Sequence, residues 1–395
     1  MVSIEKQNFK GLKAIIRVDF NVPLDTNNKV LDSSRIEAAK PTILKVINDG
    51  GSCILMSHLG RPKKKETAFS LKNLIPEIEK ILKLKLKFAE DALGNTTKEI
   101  TKNLRPGEVL LLENLRFYPE ETQGEIKFAQ KLASYGDCYI NDAFGTAHRA
   151  HASTTTITQF FKSKKYSGML LYKEVESIKK VLQTGKSPVL AILGGAKVSS
   201  KIPIIENIID KVDQVIIGGG MAFTFVKALG GKIGDSICEE DKETLALSIL
   251  KKAKKKKIKV YLPVDVLCSD KFSNKGNKKV FEINKIPKKW QGLDSGPESI
   301  KIFSQVIMEA KTILWNGPIG VFELESFSKG TIAIGNSVVK STQRGAFSLV
   351  GGGDSVAAVK KFNFQKKVSY VSTGGGAMLE SLEGKVLPGI EALSN

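Results

Sequence analysis

The sequence predicts an α/β fold in which parallel sheets carry helices on both faces. Short apolar runs rich in Val, Ile and Leu alternate along the chain with longer helical patterns. Most of the apolar runs end in a polar or glycine-rich loop, and this order of strand, loop and helix is typical of a parallel sheet. The order occurs in two series, on either side of an amphipathic helical stretch at Tyr172–Thr184, which we interpret as a connector.

Composition indicates a soluble globular protein. A chain of 395 residues predicts about two or three domains. Hydrophobic residues make up 42% of the chain and charged residues 26%, which suffices for sizeable cores. No apolar run approaches the roughly 18 residues of a membrane span, and the N-terminus lacks the apolar region of a signal peptide. The four cysteines are widely spaced, so we expect free thiols in a reducing cytoplasm.

The formal net charge of +20 allows two interpretations. It could mark a surface that binds nucleic acid or a membrane, or it could reflect lysines that fill solvated surface positions. The basic residues are dispersed, and the densest run, Lys251–Lys259, fits the end of a helix followed by a strand. No zinc finger or aromatic-interleaved RNA-binding pattern occurs. We therefore expect no specific nucleic-acid partner and no membrane partner.

The first series places positively charged side chains after its strands. We predict helices at Arg35–Asp49, Leu71–Leu82 and Gly124–Tyr135, and strands at Ala14–Val18, Cys53–Met56, Leu84–Phe88, Val109–Leu112 and Cys138–Ile140. In open α/β sheets, ligands bind beyond the carboxyl ends of the strands. Arginines from separate loops can hold an anion with paired hydrogen bonds, so this half is predicted to bind a small, highly charged molecule. The residues gathered there are Asp19, Asn21, Arg35, His58, Arg61, Arg116, Arg149 and His151.

The second series places glycine-rich loops at the same positions. Its central stretch is Phe347–Ala358, where an apolar run ends in three glycines followed by Asp354 and Ser355. Glycine loops that open a helix suit phosphate groups, and lysines with one carboxylate suit a nucleotide polyphosphate with Mg²⁺. This half also presents Lys197, Lys201 and Glu323. Its predicted strands are Val189–Leu193, Gln214–Ile217, Lys259–Leu262, Thr312–Trp315, Ala346–Val350 and Val368–Ser372.

The residue types favour phosphoryl transfer. The chain has three histidines and no clustered pair of carboxylates, and it lacks the P-loop, the complete GxGxxG, HExxH and GxSxG patterns. General acid–base chemistry is therefore poorly supplied. Phosphoryl transfer between two anionic groups needs positioning and charge neutralisation but no proton abstraction.

Seven motifs, in order along nearly the whole chain, resemble the phosphoglycerate kinase family. They are RVDFNVP (Arg17–Pro23), SHLGRP (Ser57–Pro62), ENLRF (Glu113–Phe117), NDAFGTAHRAHAS (Asn141–Ser153), GGAKV (Gly194–Val198), WNGPIGVFE (Trp315–Glu323) and GGGDS (Gly351–Ser355).

The resemblance implies two Rossmann-like domains joined by a hinge helix. The implied parts are a 3-phosphoglycerate-binding domain at 1–168, a connector at 169–186, a nucleotide-binding domain at 187–375, and a segment at 376–395 that returns to the first domain. The implied reaction is the reversible, Mg²⁺-dependent transfer of the acyl phosphate of 1,3-bisphosphoglycerate to ADP, in glycolysis and gluconeogenesis. In-line transfer, hinge closure when both substrates are bound, and a monomer are also expected.

The resemblance also implies roles for individual residues. Asp19 and Asn21 would hold the glycerate, Arg35 and Lys197 would act on the transferring group, and Asp354 would bind Mg²⁺. The remaining substrate-binding residues would be Phe20, His58, Leu59, Gly60, Arg61, Arg116 and Arg149. Of these, the histidine and the three arginines would surround the 3-phosphate. Nucleotide-binding residues would be Lys201, Gly292, Asn316, Glu323, Gly352, Gly353, Asp354 and Ser355. Gly374–Gly376 would lie under the moving phosphoryl, and Gly374 and Gly375 would be catalytic. Ser200 departs from the family, in which many members carry aspartate before this lysine, so the start of the next helix is in question.

Two other functions are alternatives from the sequence. A nucleic-acid-binding protein is favoured by the net charge alone. A nucleotide-dependent dehydrogenase shares the fold class but requires the dinucleotide fingerprint, which the chain lacks.

Overall fold

The computed structural model describes residues 1–394. The chain divides into two compact units. The first contains Met1–Val175 together with the chain from Val386 onward, and the second is Glu176–Lys385.

Six parallel strands form the sheet of the first unit. They are β1 Lys13–Arg17, β2 Ser52–Met56, β3 Leu86–Ala89, β4 Val109–Leu112, β5 Cys138–Asn141 and β6 Lys165–Ser167. Their order is β3-β4-β2-β1-β5-β6, so β1 lies inside the sheet between β2 and β5. Ile15 of β1 pairs with Ile54 on one side and with Tyr139 on the other. Such strands are apolar along their whole length because helices cover both faces of the sheet.

The helices around this sheet are amphipathic. In the longest, Ile36, Ala39 and Ile43 follow the spacing of one helix face and are fully buried. They pack in the core formed with Ile16, Leu55 and other strand residues. The helices are α1 Ser34–Asn48, α2 Ile75–Leu82, α3 Asn95–Lys102, α4 Pro119–Gln123, α5 Ile126–Ala133 and α6 Met169–Leu182.

A second parallel sheet organises the second unit. The strands of this unit are β7 Val189–Leu193, β8 Gln214–Ile217, β9 Lys232–Ile233, β10 Lys259–Tyr261, β11 Asp265–Ser269, β12 Lys278–Glu282, β13 Lys285–Ile286, β14 Gln291–Ser295, β15 Thr312–Asn316, β16 Phe347–Val350 and β17 Tyr370–Val371. The order of the large sheet is β10-β8-β7-β15-β16-β17, and a three-stranded antiparallel sheet (β12-β11-β14) and a β13-β9 pair accompany it.

The core of the second unit lies between its large sheet and its helices, around the fully buried Trp315. The indole N–H of Trp315 donates to Gly317 O at 2.9 Å, so the ring is buried without losing its hydrogen bond. The helices are α7 Ile202–Ile208, α8 Met221–Ala228, α9 Glu243–Lys255, α10 Pro297–Glu309, α11 Lys329–Gln343, α12 Gly353–Lys361 and α13 Gly376–Leu382, and α14 Pro388–Glu391 follows in the first unit.

The prediction of parallel sheets flanked by helices is confirmed. Several details differ. Leu71–Leu74 forms a 3-10 turn that precedes α2. The helices α3 and α4 were not predicted. The stretch between β10 and α10 forms the antiparallel sheet. In this stretch the lysines and apolar residues do not alternate regularly, so the period-two signal of a strand is weak.

The two units divide within the connector and again near the C-terminus. The connector helix begins at Met169, and the division between units falls within it. Residues 376–385 group with the second unit rather than with the first. Leu382 is buried there, and its carbonyl accepts a hydrogen bond of 2.6 Å from Asn207 Nδ2. The return to the first unit therefore begins at Val386, and Gly389 N donates to Ala147 O.

The cysteines carry free thiols, as expected from their wide spacing in the sequence. Cys53, Cys138 and Cys268 are buried, Cys238 is partly buried, and all four are free thiols. Within residues 1–394, every helix is too short or too polar to span a bilayer.

Candidate functional site

The carboxyl edge of the first sheet holds a linked set of polar side chains. Arg35, in the first turn of α1, donates from Nη1 to Asp19 Oδ2 at 2.8 Å and to Asn21 O at 3.1 Å. Asn21 Oδ1 in turn accepts from Gly60 N at 2.8 Å. The loops after β1 and β2 and the start of α1 are therefore joined at one place, at the carboxyl edge of the sheet where ligands bind in open α/β folds.

His58 follows β2 and is almost fully buried. Arg17, which ends β1, donates from Nη2 to His58 Nδ1 at 3.3 Å. Burial lowers the pKa of His58 well below its ordinary value, and the charges of Arg17, Arg116 and Arg35 lower it further. His58 is therefore a neutral imidazole near neutral pH, and it adds no charge to the site.

Arg116 lies close enough to other arginines for their charges to act on it. It follows β4, and its Nη1 donates to Gly60 O at 3.0 Å. Burial, together with the charges of Arg17 and Arg149, lowers its pKa to about 10. Its Nε is buried, and among the described residues it has no hydrogen-bond partner. A buried donor among like charges is costly unless an anion binds there.

Arg149 and His151 lie on the loop after β5. Arg149 Nε lies 3.2 Å from His148 Nε2. His151 is buried, and burial together with Arg116 and Arg17 lowers its pKa to about 4. The loop therefore adds one charged guanidinium and one neutral imidazole to the cluster.

The other predicted residues of this half serve the backbone of the site. Phe20 is fully buried, and its N–H donates to Ser57 Oγ at 2.9 Å. Leu59 is buried, and its carbonyl accepts from Asn114 Nδ2 at 2.8 Å. Gly60 has φ +64°, and a Cβ there would lie 2.4 Å from the ring of Phe69, so a side chain would not fit. Arg61 is exposed on the same loop.

In the second unit, three strand ends are joined by a chain of hydrogen bonds. Lys201 Nζ donates to Asn316 Oδ1, and Asn316 Nδ2 donates to Gly351 O at 2.7 Å. Ser355 Oγ accepts from Gly317 N at 2.5 Å. The loops after β7, β15 and β16 are therefore held together beside the predicted glycine loop. Burial lowers the pKa of Lys201, and the carboxylate of Asp354 partly opposes this shift.

The glycines of these loops are needed where the backbones meet. A Cβ at Gly194 would lie 2.0 Å from Pro318 O. Gly352 has φ +90°, and its Cβ would lie 2.6 Å from Asn316 Nδ2. Helix α12 then begins at Gly353, with Asp354 exposed in its first turn. The free amides of a helix start, reached without side-chain obstruction, suit a phosphate.

A cleft of about 450 Å³ adjoins this loop and is lined mainly by apolar and glycine residues. Gly292, Glu323 and Asp354 all line it, which brings together three residues that the sequence analysis assigned to nucleotide binding. A Cβ at Gly292 would lie 2.2 Å from Phe223 Cζ, so glycine keeps this wall flat. An apolar slot with few polar groups fits a planar ring.

Lys197 is exposed on the loop after β7. The neighbouring Ser199 donates from N and from Oγ to the carboxylate of Glu239, at 2.9 and 2.5 Å. Ser200 Oγ donates to Lys197 O at 2.9 Å, and α7 begins at Ile202 without a side-chain cap. The serine therefore closes a local turn and leaves the helix start uncapped, which answers the question raised by the sequence.

The loop after β17 holds the last predicted residues. Gly374 is buried, and its N–H donates to Ser372 Oγ at 3.1 Å. Gly375 has φ +48°, a left-handed conformation, and α13 begins at Gly376. Glycine adopts this conformation readily, and the turn places the start of α13 beyond the carboxyl end of β17.

Within residues 1–394, no group of three His, Cys, Asp or Glu side chains could by itself hold a metal ion. Mg²⁺ in phosphoryl-transfer sites takes one or two carboxylates, with the other ligands from phosphate and water. The exposed carboxylate of Asp354, beside the cleft and the glycine loop, fits that type of site.

A buried layer behind the first cluster was not predicted from the sequence. It consists of Arg17, Glu121 and Ser153, which are fully buried. One signal was available, because Arg17 is a charged residue inside an otherwise apolar strand. In the second unit, Asp294 was also missed, and it lines the cleft with its carboxylate accepting from Gly330 N at 2.8 Å.

Comparison with known proteins gives consistent matches over the full chain. A family model described as phosphoglycerate kinase matches residues 4–385. A relative of that name from Porphyromonas gingivalis is 51% identical over 416 residues, covering 99% of this chain and 100% of the relative. A cytosolic phosphoglycerate kinase from Nicotiana tabacum is 47% identical over 393 residues, covering 100% of this chain and 98% of the relative. The solved structure of phosphoglycerate kinase from Coxiella burnetii superposes with a TM-score of 0.91 at 41% identity, covering 100% of this chain and 98% of that chain.

Proposed function

The chain belongs to the phosphoglycerate kinase family, and on this premise we propose how its residues divide the work of the reaction. The enzyme transfers a phosphoryl group reversibly between 1,3-bisphosphoglycerate and ADP, giving 3-phosphoglycerate and ATP in glycolysis. A P–O bond to the C1 carboxylate breaks and a bond from an oxygen of the ADP β-phosphate to phosphorus forms. Both partners are anionic already, so no base is needed.

The first unit binds the glycerate substrate in this proposal. Arg116, Arg149 and Arg61, with the neutral His58, surround the 3-phosphate, while Asp19 and Asn21 hold the glycerate. The observation that carries the proposal is the buried Nε of Arg116, which has no hydrogen-bond partner within residues 1–394, in a place where burial and the charges of Arg17 and Arg149 lower the pKa of this arginine. A phosphate dianion would relieve that repulsion and give the buried Nε of Arg116 an acceptor. Phe20, Leu59 and Gly60 hold the loops in place.

The second unit binds the nucleotide. The base and ribose would occupy the cleft beside Gly292 and Glu323. The phosphates would lie at the start of α12 against Gly352, Gly353 and Ser355, with Lys201 held by Asn316. Asp354 would hold the phosphate-bound Mg²⁺, which would neutralise phosphate charge.

The groups that act on the transferring phosphoryl are Lys197 and Arg35 in this proposal, with the amides of Gly374 and Gly375. Lys197 has an exposed and flexible stem, so its ammonium can follow a moving charge. Arg35 is oriented by the carboxylate of Asp19. Their contribution would be charge neutralisation in the transition state.

Hinge closure and in-line transfer stay predictions. If the hinge closes, small-angle scattering should give the smallest radius of gyration with both substrates present.

We also propose a cytoplasmic monomer without specific nucleic-acid binding. A cytosolic relative supports the location, although chloroplastic phosphoglycerate kinases of Arabidopsis thaliana are 48% identical over 386 residues. Retention on DNA should collapse with modest salt, because dispersed lysines make only counterion-dependent contacts. Sequence-selective binding at physiological salt would contradict this part.

A coupled assay of ATP formation from 1,3-bisphosphoglycerate and ADP tests the proposal. We expect ATP to form in equal amount to the acyl phosphate consumed, with strict dependence on Mg²⁺. Turnover that persists after complete chelation would contradict the role of Mg²⁺. Hydrolysis of the acyl phosphate without ATP would contradict transfer itself.

A further inference from the structure

A buried chain of hydrogen bonds lies behind His58 and ends on a carboxylate. Arg17 Nε donates to Ser153 Oγ at 2.8 Å. Ser153 Oγ donates to Glu121 Oε1 at 2.5 Å, and Ser153 N donates to Glu121 Oε2 at 2.9 Å. Arg17 and Glu121 are both fully buried, so the structure takes two charges out of water to build this chain.

The direction of each hydrogen bond in the chain is fixed by chemistry. A guanidinium has donors and no acceptor. Ser153 Oγ must therefore accept from Arg17, and its single proton goes to Glu121. For the same reason the contact from Arg17 Nη2 to His58 Nδ1, at 3.3 Å, requires Nδ1 to be the acceptor. The position of the guanidinium is secured by a further donation from Nη1 to Val18 O.

This geometry decides which nitrogen of His58 carries the proton. If Nδ1 accepts, the neutral ring must carry its proton on Nε2. Nε2 is then the one donor that the ring can offer to an anion. Burial and the surrounding arginines keep the pKa of His58 well below its ordinary value, so a doubly protonated ring is disfavoured as well.

We propose that Arg17, anchored through Ser153 to Glu121, is a positioning residue that holds His58 in the Nε2–H form and so makes it a dedicated hydrogen-bond donor to the substrate. The inference rests on the proposed role of His58 in binding 3-phosphoglycerate. It adds a task for three residues that take no direct part in the proposed site. The neutral donor contributes a directed hydrogen bond where a fourth close positive charge would be costly.

The first test uses the unmodified protein. The chain has three histidines, so a long-range ¹H–¹⁵N spectrum of the free enzyme contains three imidazole patterns. The pattern that disappears in His58→Gln belongs to His58. We expect a bare Nδ1 and a protonated Nε2, unchanged across neutral pH. A proton on Nδ1, or an imidazolium at neutral pH, would overturn the proposal.

The second test removes the positioning group. Arg17→Met keeps a long side chain of similar reach without donors, and Arg105→Met, at an exposed arginine of the same unit, is the matched control. We expect His58 to exchange between both neutral forms in Arg17→Met, and 3-phosphoglycerate affinity to fall about 10-fold, as for one lost hydrogen bond to a charged group. MgADP affinity should not change. A folded Arg17→Met with the native histidine pattern and native affinity would overturn the proposal, and if this variant does not fold, the spectrum of the unmodified protein decides.

The two proposals can fail separately. If His58→Gln binds 3-phosphoglycerate normally, the substrate role of His58 is wrong, although the Nε2–H form can still be seen in the free protein. If the spectrum shows the other form while His58→Gln binds poorly, the substrate role stands and the positioning role is wrong.

Discussion

Arg35 Nη1 lies 2.8 Å from Asp19 Oδ2, and this contact joins the start of α1 to the loop after β1. Asp19 is buried while Arg35 is about one third exposed, so the carboxylate can aim the guanidinium without withdrawing it from solvent. The pair therefore links a residue proposed to hold glycerate with one proposed to act on the transferring group.

Asp19→Asn should disturb both tasks of this pair. The amide keeps the shape of the carboxylate but loses the charge that orients Arg35. We expect 3-phosphoglycerate binding to weaken by about 1.5–3 kcal/mol, the range for a hydrogen bond to a charged group. The kcat should also fall, while the KM for ADP stays constant. Steady-state kinetics with Asp25→Asn as control checks this, and an unaltered kcat would remove Asp19 from the positioning of Arg35.

Lys197→Ala should lower kcat by orders of magnitude with little change in either KM. The side chain is exposed in the free enzyme, so we expect its interaction to develop in the transition state rather than in either ground state. Lys197→Arg should also be poor, because a planar guanidinium does not replace a compact ammonium. Lys288→Ala, at an exposed lysine of the same unit, is the control. Near-normal kcat in Lys197→Ala would exclude the lysine from the mechanism.

Asp354→Asn should raise the Mg²⁺ concentration needed for half-maximal activity by about tenfold or more, since the carboxylate is the proposed protein ligand of the ion. Metal-free ADP should bind the variant at least as well as the native enzyme, because a negative charge beside the phosphates is removed. Titration of activity with Mg²⁺ measures the first effect and calorimetry the second. Asp235→Asn, an exposed residue of the same unit, is the control. An unchanged Mg²⁺ requirement would show that the ion is held elsewhere.

Asp142 should make the stability of the native protein fall as pH rises from about 4 to about 7. Its carboxylate is fully buried and accepts from Leu170 N at 2.9 Å and Leu171 N at 3.2 Å, at the start of α6. Burial raises its pKa from the ordinary 3.8 to about 7. The folded state therefore binds more protons than the unfolded chain within this window, so the free energy of unfolding declines with rising pH. The total loss is about 1.4 kcal/mol for each unit by which the pKa of Asp142 differs between the folded and unfolded states.

The comparison of Asp142→Asn with the native protein isolates this effect. The neutral amide can still accept from the helix start, so the variant should gain in relative stability as pH rises through the window. Chemical denaturation at several pH values measures it, and the exposed Glu99→Gln serves as control. A constant difference between variant and native protein from pH 4 to pH 7 would show that Asp142 does not titrate there.

Local signals in the sequence were enough for the large sheets and for most strand ends. Val109–Leu112 and Val189–Leu193 were predicted with the observed bounds, because an apolar run closed by polar or glycine residues is a strong signal in a buried parallel strand. The strand Lys278–Glu282 was missed because four of its five residues are exposed, so it carries no burial pattern. Its pairing with β11 depends on contacts across the sheet rather than on its own residues.

The site could be predicted only where strand ends gather residues. Arg116 follows β4 and Asp354 follows β16, so both obey that rule. The hydrogen bond between Lys201 and Asn316 joins residues 115 positions apart, and no local pattern encodes such a pair. Glu121 lies on the short helix α4 with other acidic residues around it, and only the fold shows that it is the buried one that meets Ser153.

Calorimetric titration of two variants with two ligands tests the central claim, that the first unit binds the glycerate substrate and the second the nucleotide. We expect Arg149→Ala to weaken 3-phosphoglycerate binding by about 1.5–3 kcal/mol and to leave MgADP binding unchanged. Asp354→Asn should do the reverse. Arg105→Ala and Asp235→Asn should bind both ligands normally. Loss of MgADP binding in Arg149→Ala with 3-phosphoglycerate binding intact, or the converse in Asp354→Asn, would contradict the assignment of the two sites.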